Sequence, residues 1–403
     1  MIQRHSQDGI GHSVVELSGA RHVHVAAVPH SGTDLASQLC DALGSVRDAM
    51  DRQGPSGTIV RQAVFVSDPR QIESCRRLVE WFHGDEKPAT TYIPQIPCSG
   101  KLVAVEAQGL FGPPDSFRVE RLSPQLVVAS HNGVAWCHCE NVFPERSNGS
   151  LHVEAIETFE QMARLLEEAG FRYSQVVRTW LYLGDIVGIE AKRQRYQELN
   201  RARADFYAGI SFSHNGHDTP RPNGRFYPAS TGIGAEGGGL TMSCLALAGR
   251  NNALSVVPLE NPNQTSAYGY DARYGPSSPS FSRAVAVVAG DTVTVFISGT
   301  ASITGAESRH AGDVVCQTHQ TLDNIAALIA PTNLARHGIH ADGATLGDLA
   351  HLRVYLKNPA DYTVVRRICH ERIGELPTIY TVADVCRPEL LVEIEAVGFA
   401  KTR

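Results

Sequence analysis

Two glutamates one residue apart, Glu393 and Glu395, sit in an otherwise apolar run near the C-terminus, CRPELLVEIEA at Cys386–Ala396. Side chains alternate along a strand, so both carboxyls share a face with Leu391 while Val392, Ile394 and Ala396 take the other. Burying an unpaired charge costs several kcal/mol. A carboxyl in such a place is therefore paired, or protonated with a raised pKa that suits it to proton transfer near neutrality. The plainer alternative is a half-exposed strand whose glutamates face water. A second concentration of polar chemistry lies upstream: Tyr268, Tyr270, Arg273 and Tyr274 in SAYGYDARYGP, then Ser282 and Arg283 in PSFSRA. Arginine forks bind carboxylates through paired hydrogen bonds and tyrosine hydroxyls add direction, although the same side chains also snorkel over ordinary surface loops. Arg366, in the helical string VRRIC, reads equally as a carboxylate ligand or as part of a solvated helix face.

Other candidates are weaker. The glycines at 232, 234 and 237–239 lack the Gly-Lys-Ser/Thr and the following helix of a phosphate loop, so they read as a hairpin connection. Cys137-His138-Cys139 is too compressed for a zinc site and no second pair follows at zinc spacing, so no metal is expected.

At 403 residues the chain exceeds the roughly 250–300 that one hydrophobic core supports, so several domains are required. With 42% hydrophobic and 19% charged residues it has ample core material and no case for disorder. A formal charge of −6 without a basic run excludes an obvious nucleic-acid partner. The N-terminal MIQRHSQDGIGHS lacks a signal's apolar core, and no apolar run approaches the roughly 18 residues of a membrane span. Nine scattered cysteines, an odd number, suit reduced thiols. These features together predict a cytoplasmic protein without a membrane partner.

The elements that must position the polar groups recur three times. In the first pass, a strand at His22–Val28 precedes a helix from Thr33 or Asp34 to Met50. A strand at Thr58–Val66, a helix at Arg70–Phe82 and strands at Thr90–Ile96 and Lys101–Ala107 complete it. The second pass has strands at Phe117–Val119, Leu126–Ser130 and Val134–Val142, a helix at Val153–Gly170 and a strand at Ser174–Leu183. A helix at Glu190–Tyr207 and strands at Arg225–Ser230 and Leu240–Ala248 follow. The third has strands at Phe281–Val288 and Thr292–Ser298, a helix at Asp313–Ile329 and a strand at Leu349–Leu356. It closes with a helix at Pro359–Ile373 and strands at Thr378–Val382 and Leu390–Val397. RQAVFVSDP, RTWLYLGDI and LRVYLKNP share one slot, and KLVAVEA, LTMSCLA and LVEIEAV another. Units of this size are duplicated domains, each a sheet with one helix-covered face, and their uncovered faces should pack together.

Copies separate scaffold from chemistry. Aligning the closing strands sets Ala104, and approximately Met242, against Glu393, so only the third copy holds a carboxyl there. Glu395 has Glu106 as its counterpart, which favours a scaffold role. Arg366 has Arg76 and Arg193 as counterparts.

This repeat resembles the Rid/YjgF fold, a mixed sheet carrying two helices, in which three subunits form a barrel-like trimer with ligand clefts between neighbours. QTHQTLDNIAALI is similar to that family's first helix and VEIEA to its closing strand. The resemblance implies an α+β chain of three tandem units: 1–112 (degenerate), 113–252, and 253–403 with the acidic strand. Together they would form an intramolecular pseudo-trimer, a monomer with homo-oligomers as the alternative.

PASTGIG at Pro228–Gly234, FSRA at Phe281–Ala284, SGTASI at Ser298–Ile303 and CRPELLVEIEA, in that order, resemble the chorismatase family. The resemblance implies chorismate as substrate, no metal and no organic cofactor. It implies that Glu393 is the catalytic acid, protonating the terminal methylene of the enolpyruvyl ether, and that Arg203, Tyr270 and Arg366 hold the substrate's carboxylates and hydroxyl. Arg283 and Thr231 are further binding candidates. Gly299 and Cys386 are similar to the aromatising type, which implies that the glycine leaves the ring room to shift, that Cys386 is a second catalytic residue directing proton removal or collapse of the intermediate, and that the products are 3-hydroxybenzoate and pyruvate, with some 4-hydroxybenzoate as an alternative. The competing readings are a Rid-type imine or enamine deaminase and a non-catalytic binding protein. Against the first, Ile379 or Tyr380 stands where Rid proteins carry an arginine.

Overall fold

The computed structural model describes residues 2–7, 9–17, 19–55, 57–113, 117–145, 149–212, 226–250, 253–342 and 344–403. Three six-stranded sheets follow one plan. In the first, β1 (Ile2–Gln7), β2 (Ile10–Leu17) and β3 (Ala20–Ala27) form an antiparallel meander. β6 (Val103–Phe111) pairs with β3, β4 (Gly57–Val66) with β6, and β5 (Ala89–Ile93) is the parallel edge. The second repeats the order with β7 (Phe117–Ser123), β8 (Leu126–His131), β9 (Val134–Val142), β14 (Leu240–Gly249), β10 (Val176–Gly184) and parallel β13 (Ala229–Ala235). The third does so with β15 (Ser255–Leu259), β16 (Ala284–Ala289), β17 (Thr292–Ala301), β22 (Val392–Lys401), β20 (Leu349–Leu356) and parallel β21 (Thr378–Val382). Two small ribbons, β11 (Ile189–Glu190) with β12 (Arg193–Gln194) and β18 (Ile303–Thr304) with β19 (Glu307–Ser308), decorate the later units.

Each parallel edge demands a crossover, which a helix supplies: α2 (Ile72–His83), α4 (Arg195–Tyr207) and α7 (Tyr362–Ile373). A longer helix lies beside each of these, α1 (Leu35–Asp51), α3 (Leu151–Glu168) and α5 (Val314–Ile329), the last followed by the short α6 (Pro331–Arg336). Asp34 starts α1 by accepting from Ser37 N at 2.8 Å, and Asp313 starts α5 by accepting from Cys316 N at 2.9 Å, each satisfying an otherwise orphaned donor. Leu39, Leu43 and Val46 of α1 then bury against Val23, Val25, Val64 and Val105 of its sheet. No described helix is long and apolar enough to cross a membrane.

Several expectations shift. The first unit is not degenerate in strand order, because the polar N-terminal stretch supplies β1 and β2. Their hydrophilic character reflects what they touch: Arg4 donates to the Ile373 carbonyl at 3.2 Å and Ser13 Oγ to the Ala350 carbonyl at 2.6 Å, both in the third unit. The helix expected from 190 starts at Arg195, since positive φ at Ala191 (49°) and Lys192 (71°) turns the β11–β12 ribbon instead. The strand expected at 281–288 begins at Ala284, leaving Phe281, Ser282 and Arg283 before it. Of the strand expected at 225–230, residue 225 lies outside the described residues, and β13 starts at Ala229.

Sheet register corrects one alignment. The β4–β6, β10–β14 and β20–β22 ladders end on Val66↔Val103, Leu183↔Leu240 and Leu356↔Val392. Glu393 therefore corresponds to Ala104 and Thr241. Met242 lies one residue on and faces the helix side with the buried core, and a slip of one residue exchanges the faces.

The uncovered faces meet through buried charge. Arg61 Nε reaches Glu140 Oε1 at 2.5 Å and its Nη1 reaches Glu106 Oε1 at 3.3 Å. Arg353 holds Glu106 through Nε at 2.5 Å and Nη2 at 2.9 Å, and donates to the Tyr182 hydroxyl at 2.6 Å. Arg178 donates to Glu395 at 2.8 Å, as does Trp180 Nε1. Each contact except Arg61–Glu106 joins different sheets. Removing one partner of a buried pair strands the other, at a cost of about 3–5 kcal/mol. Arg353→Met should accordingly lower unfolding free energy by about that amount in urea titrations; a loss below about 1 kcal/mol would show that these pairs do not hold the units together.

Candidate active site

β22 builds the site. Val392, Ile394 and Ala396 enter the core beneath the third unit's helices, which turns Glu393 and Glu395 to the opposite face, 4% and 5% exposed. Their surroundings drive the two carboxyls apart. Burial works against ionisation of Glu395, but Arg178 and Arg353 outweigh it and hold the group below its ordinary value. Glu393 is pushed up to about 8, by burial first and by the neighbouring Glu395 charge second, against the opposing pull of Arg178 and Arg283. At neutral pH one is a carboxylate and the other an acid.

A register shift in the β17–β22 ladder between Ile297 and Thr300 brings Gly299 against Glu393. A methyl group at 299 would overlap the Glu393 carboxyl oxygen and lie 3.2 Å from Thr231 Cγ2, so the approach requires glycine. Thr231, on β13, ties the second unit to the third: its Oγ1 accepts from Arg178 Nη2 at 2.5 Å and from Gly299 N at 3.0 Å. Ser298 Oγ adds a second tie by accepting from Ser230 N at 2.9 Å. The site is thus a junction between two units.

Two buried guanidinium groups stand nearby. Arg203, on α4, donates to Asn200 Oδ1 at 2.6 Å and Ser230 Oγ at 3.2 Å. Arg283, just before β16, donates to the Tyr270 hydroxyl at 2.6 Å and the Thr265 carbonyl at 2.8 Å. Both lie 5.6 Å from the Phe281 ring centre, and in both the buried Nε has no hydrogen-bond partner among the described residues. Such donors suit an anionic ligand. Cys386 is partly exposed. Burial, then the Glu393 charge, pushes its thiol up to about 12, so it is neutral rather than a thiolate.

Glu393, Cys386, Arg203, Tyr270, Gly299, Arg283 and Thr231 therefore gather at one junction. Arg366 does not: it lines a separate cleft between the third and first units with Ala104 and Tyr380. The helix pattern placed it correctly on α7 but could not say which neighbour that helix faces. Sequence reasoning missed Tyr196, whose phenol burial raises, then Cys386, with Arg203, Glu393 and Tyr270 also acting on it. Its seven-residue spacing from Arg203, two helical turns, was the available signal. Arg387 was also missed; it lies 5.3 Å from the Tyr270 ring centre and 4.5 Å from that of Tyr274.

Fold and site define a class: stacked sheet-and-helix units with an acidic junction between two of them. Residues 118–246 match the family model described as chorismatase FkbO/Hyg5-like, N-terminal, and residues 276–399 match that of endoribonuclease L-PSP. A 3-hydroxybenzoate synthase of Streptomyces hygroscopicus is 40% identical over 242 residues, 59% of this chain and 66% of that protein. A chorismatase of Streptomyces rapamycinicus is 37% identical over 277 residues, 66% of this chain and 78% of that protein. A chorismatase crystal structure shares the fold, at 24% identity and a TM-score of 0.66 over 95% of this chain and all of that one. The chain belongs to the chorismatase family.

Because Glu393 is raised from an ordinary 4.5 to about 8, folding takes up a proton between these values, and stability falls as pH rises through that window. Glu393→Gln abolishes this dependence. The variant should melt higher than wild type at about pH 9, with the gap closing below about pH 5. A gap independent of pH in differential scanning calorimetry would mean that Glu393 is not a buried acid.

Proposed function

We propose that this protein converts chorismate to 3-hydroxybenzoate and pyruvate, with Glu393 as the general acid. The observation that carries the reading is a neutral carboxyl held against the glycine of a strand irregularity, beside two buried arginines with donors to spare. An enolpyruvyl ether is cleaved after protonation of its terminal methylene, which leaves an oxocarbenium-like carbon. A carboxylic acid with a pKa near neutrality delivers that proton efficiently. Once ionised, Glu393 faces the cationic carbon and is the nearest carboxylate for the ring proton lost on aromatisation. Arg203 and Arg283 hold the substrate's carboxylates, and Tyr270, oriented by Arg283, and Thr231 fix the ring.

Product choice follows from space and water. Release of a dihydroxycyclohexadiene acid consumes one water, whereas forming 3-hydroxybenzoate with pyruvate is neutral in water. Gly299 gives the ring room to shift beside Glu393, and the neutral Cys386 thiol covers the reacting centre without acting as a competing base. An imine deaminase of the Rid type is disfavoured because Ile379, at the arginine slot, is buried in the core.

The three units, 1–112, 113–252 and 253–403, form a covalent pseudo-trimer in this reading, with the reacting junction between the second and third. Nine cysteines, none in a disulfide, suit a cytoplasmic enzyme.

Product analysis tests the proposal. With chorismate, Glu393→Gln should lower kcat by about 10²–10⁴-fold, and wild-type turnover should decline as pH rises through about 8. Cys386→Ala should divert product toward the non-aromatic dihydroxy acid. Gly299→Ala, whose methyl displaces the acid, should lower turnover. Unchanged products and rates in all three variants would sink the mechanism.

A further inference from the structure

Arg366 belongs to a cleft that the proposed reaction does not use. This cleft, of about 490 Å³, lies between α7 and β21 of the third unit and the sheet of the first. It is the counterpart of the reacting junction, one step around the assembly. There β13 of the second unit meets β17 and β16 of the third; here β21 of the third meets β3 and β6 of the first. Ala104, in the slot of Glu393, lines it, so the cleft has the shape without the acid.

Its charged and titrating groups include Arg366, Arg367, His370 and Glu375. Arg366 occupies the position on α7 that Arg76 holds on α2, at the same distance after Pro359 and Pro69. Arg76 is neutralised by Glu73 and Glu80, each at 2.6 Å. Arg366 has no carboxylate partner among the described residues. The other cation and the imidazole on this rim are occupied, Arg367 by Glu371 at 4.0 Å and His370 by Glu375 at 3.8 Å. Two tyrosines form the wall beside Arg366: the Tyr362 and Tyr380 rings are 5.3 Å apart and nearly perpendicular. Burial raises both phenols, and the nearby Arg366 charge pulls against it in each.

We propose that this cleft is a second, non-catalytic binding site for a monoanionic ring carboxylate, held by the Arg366 fork with its ring against Tyr362 and Tyr380. The volume falls in the range of roughly 300–1,000 Å³ typical of small-ligand pockets. A guanidinium matches a carboxylate in bidentate geometry. The flat phenol walls favour an unsaturated ring. A single unpaired guanidinium balances a single negative charge, which favours a carboxylate over a phosphate dianion. This assignment does not depend on chorismate turnover.

Calorimetric titration of the full chain with 3-hydroxybenzoate, and with inorganic phosphate as control, tests it. A saturable component should weaken about 10- to 100-fold in Arg366→Ala, weaken less in Arg366→Lys, and vanish in Ser99→Trp, which plugs the exposed mouth. The same component should persist in Glu393→Gln, and the initial rate of chorismate turnover should be unchanged in Arg366→Ala. A titration identical in wild type, Arg366→Ala and Ser99→Trp would overturn the proposal, as would phosphate binding as tightly as the ring carboxylate. Failure of chorismate turnover in wild type would count against the reaction assigned above and leave this titration to be judged alone.

Discussion

Two carboxyls on one face of β22 cannot both ionise cheaply, and the structure resolves the conflict by giving all the strong donors to one of them. Glu395 accepts from Arg178 and Trp180 and lies 3.3 Å from Arg353, so it carries the charge. Glu393 is left with burial and a negative neighbour, the two conditions that keep a carboxyl protonated. The acid is therefore not an isolated residue with an odd environment. It is half of a pair whose other half is anchored to the second unit directly and linked to the first through Arg353 and Glu106.

That anchoring is also what assembles the molecule. Arg61, Arg178 and Arg353, with Glu106, Glu140 and Glu395, fill the space where three uncovered sheet faces converge. A centre of aliphatic side chains would hold such faces as well or better, since desolvating ions is expensive. What the ion pairs add is geometry: all but Arg61–Glu106 fix the register of one sheet against another. Thr231 shows the consequence, because one hydroxyl accepts from the scaffold arginine and from the backbone of Gly299 at the junction of the second and third units.

The three sheets differ at the slot of Glu393: β6 carries Ala104 there and β14 carries Thr241, and the irregularity of β17 brings Gly299 against the carboxyl of β22. The cleft around Arg366 has an unpaired cation and an alanine where the acid would stand.

By itself the sequence determined the helices, most strands, the threefold repetition and the presence of an uncompensated carboxyl at Glu393. These are local properties: hydrophobic period, caps and the contrast between copies. It misplaced features whose cause is non-local. The polar strands β1 and β2 were invisible because the side chains of Arg4 and Ser13 find their hydrogen-bond partners in the third unit, and Met242 stood in for Thr241 because alignment of strings does not resolve which face a strand presents. The family resemblance grouped Arg366 with Arg203, but α4 and α7 face different neighbours. Only the tertiary structure decided why Glu395 carries the charge while Glu393 stays protonated. That difference depends on where Arg178, Trp180 and Arg353 reach: Arg353 stands opposite Glu395 on the neighbouring strand of the same sheet, whereas Arg178 and Trp180 come from β10, which meets β22 only once the sheets have packed.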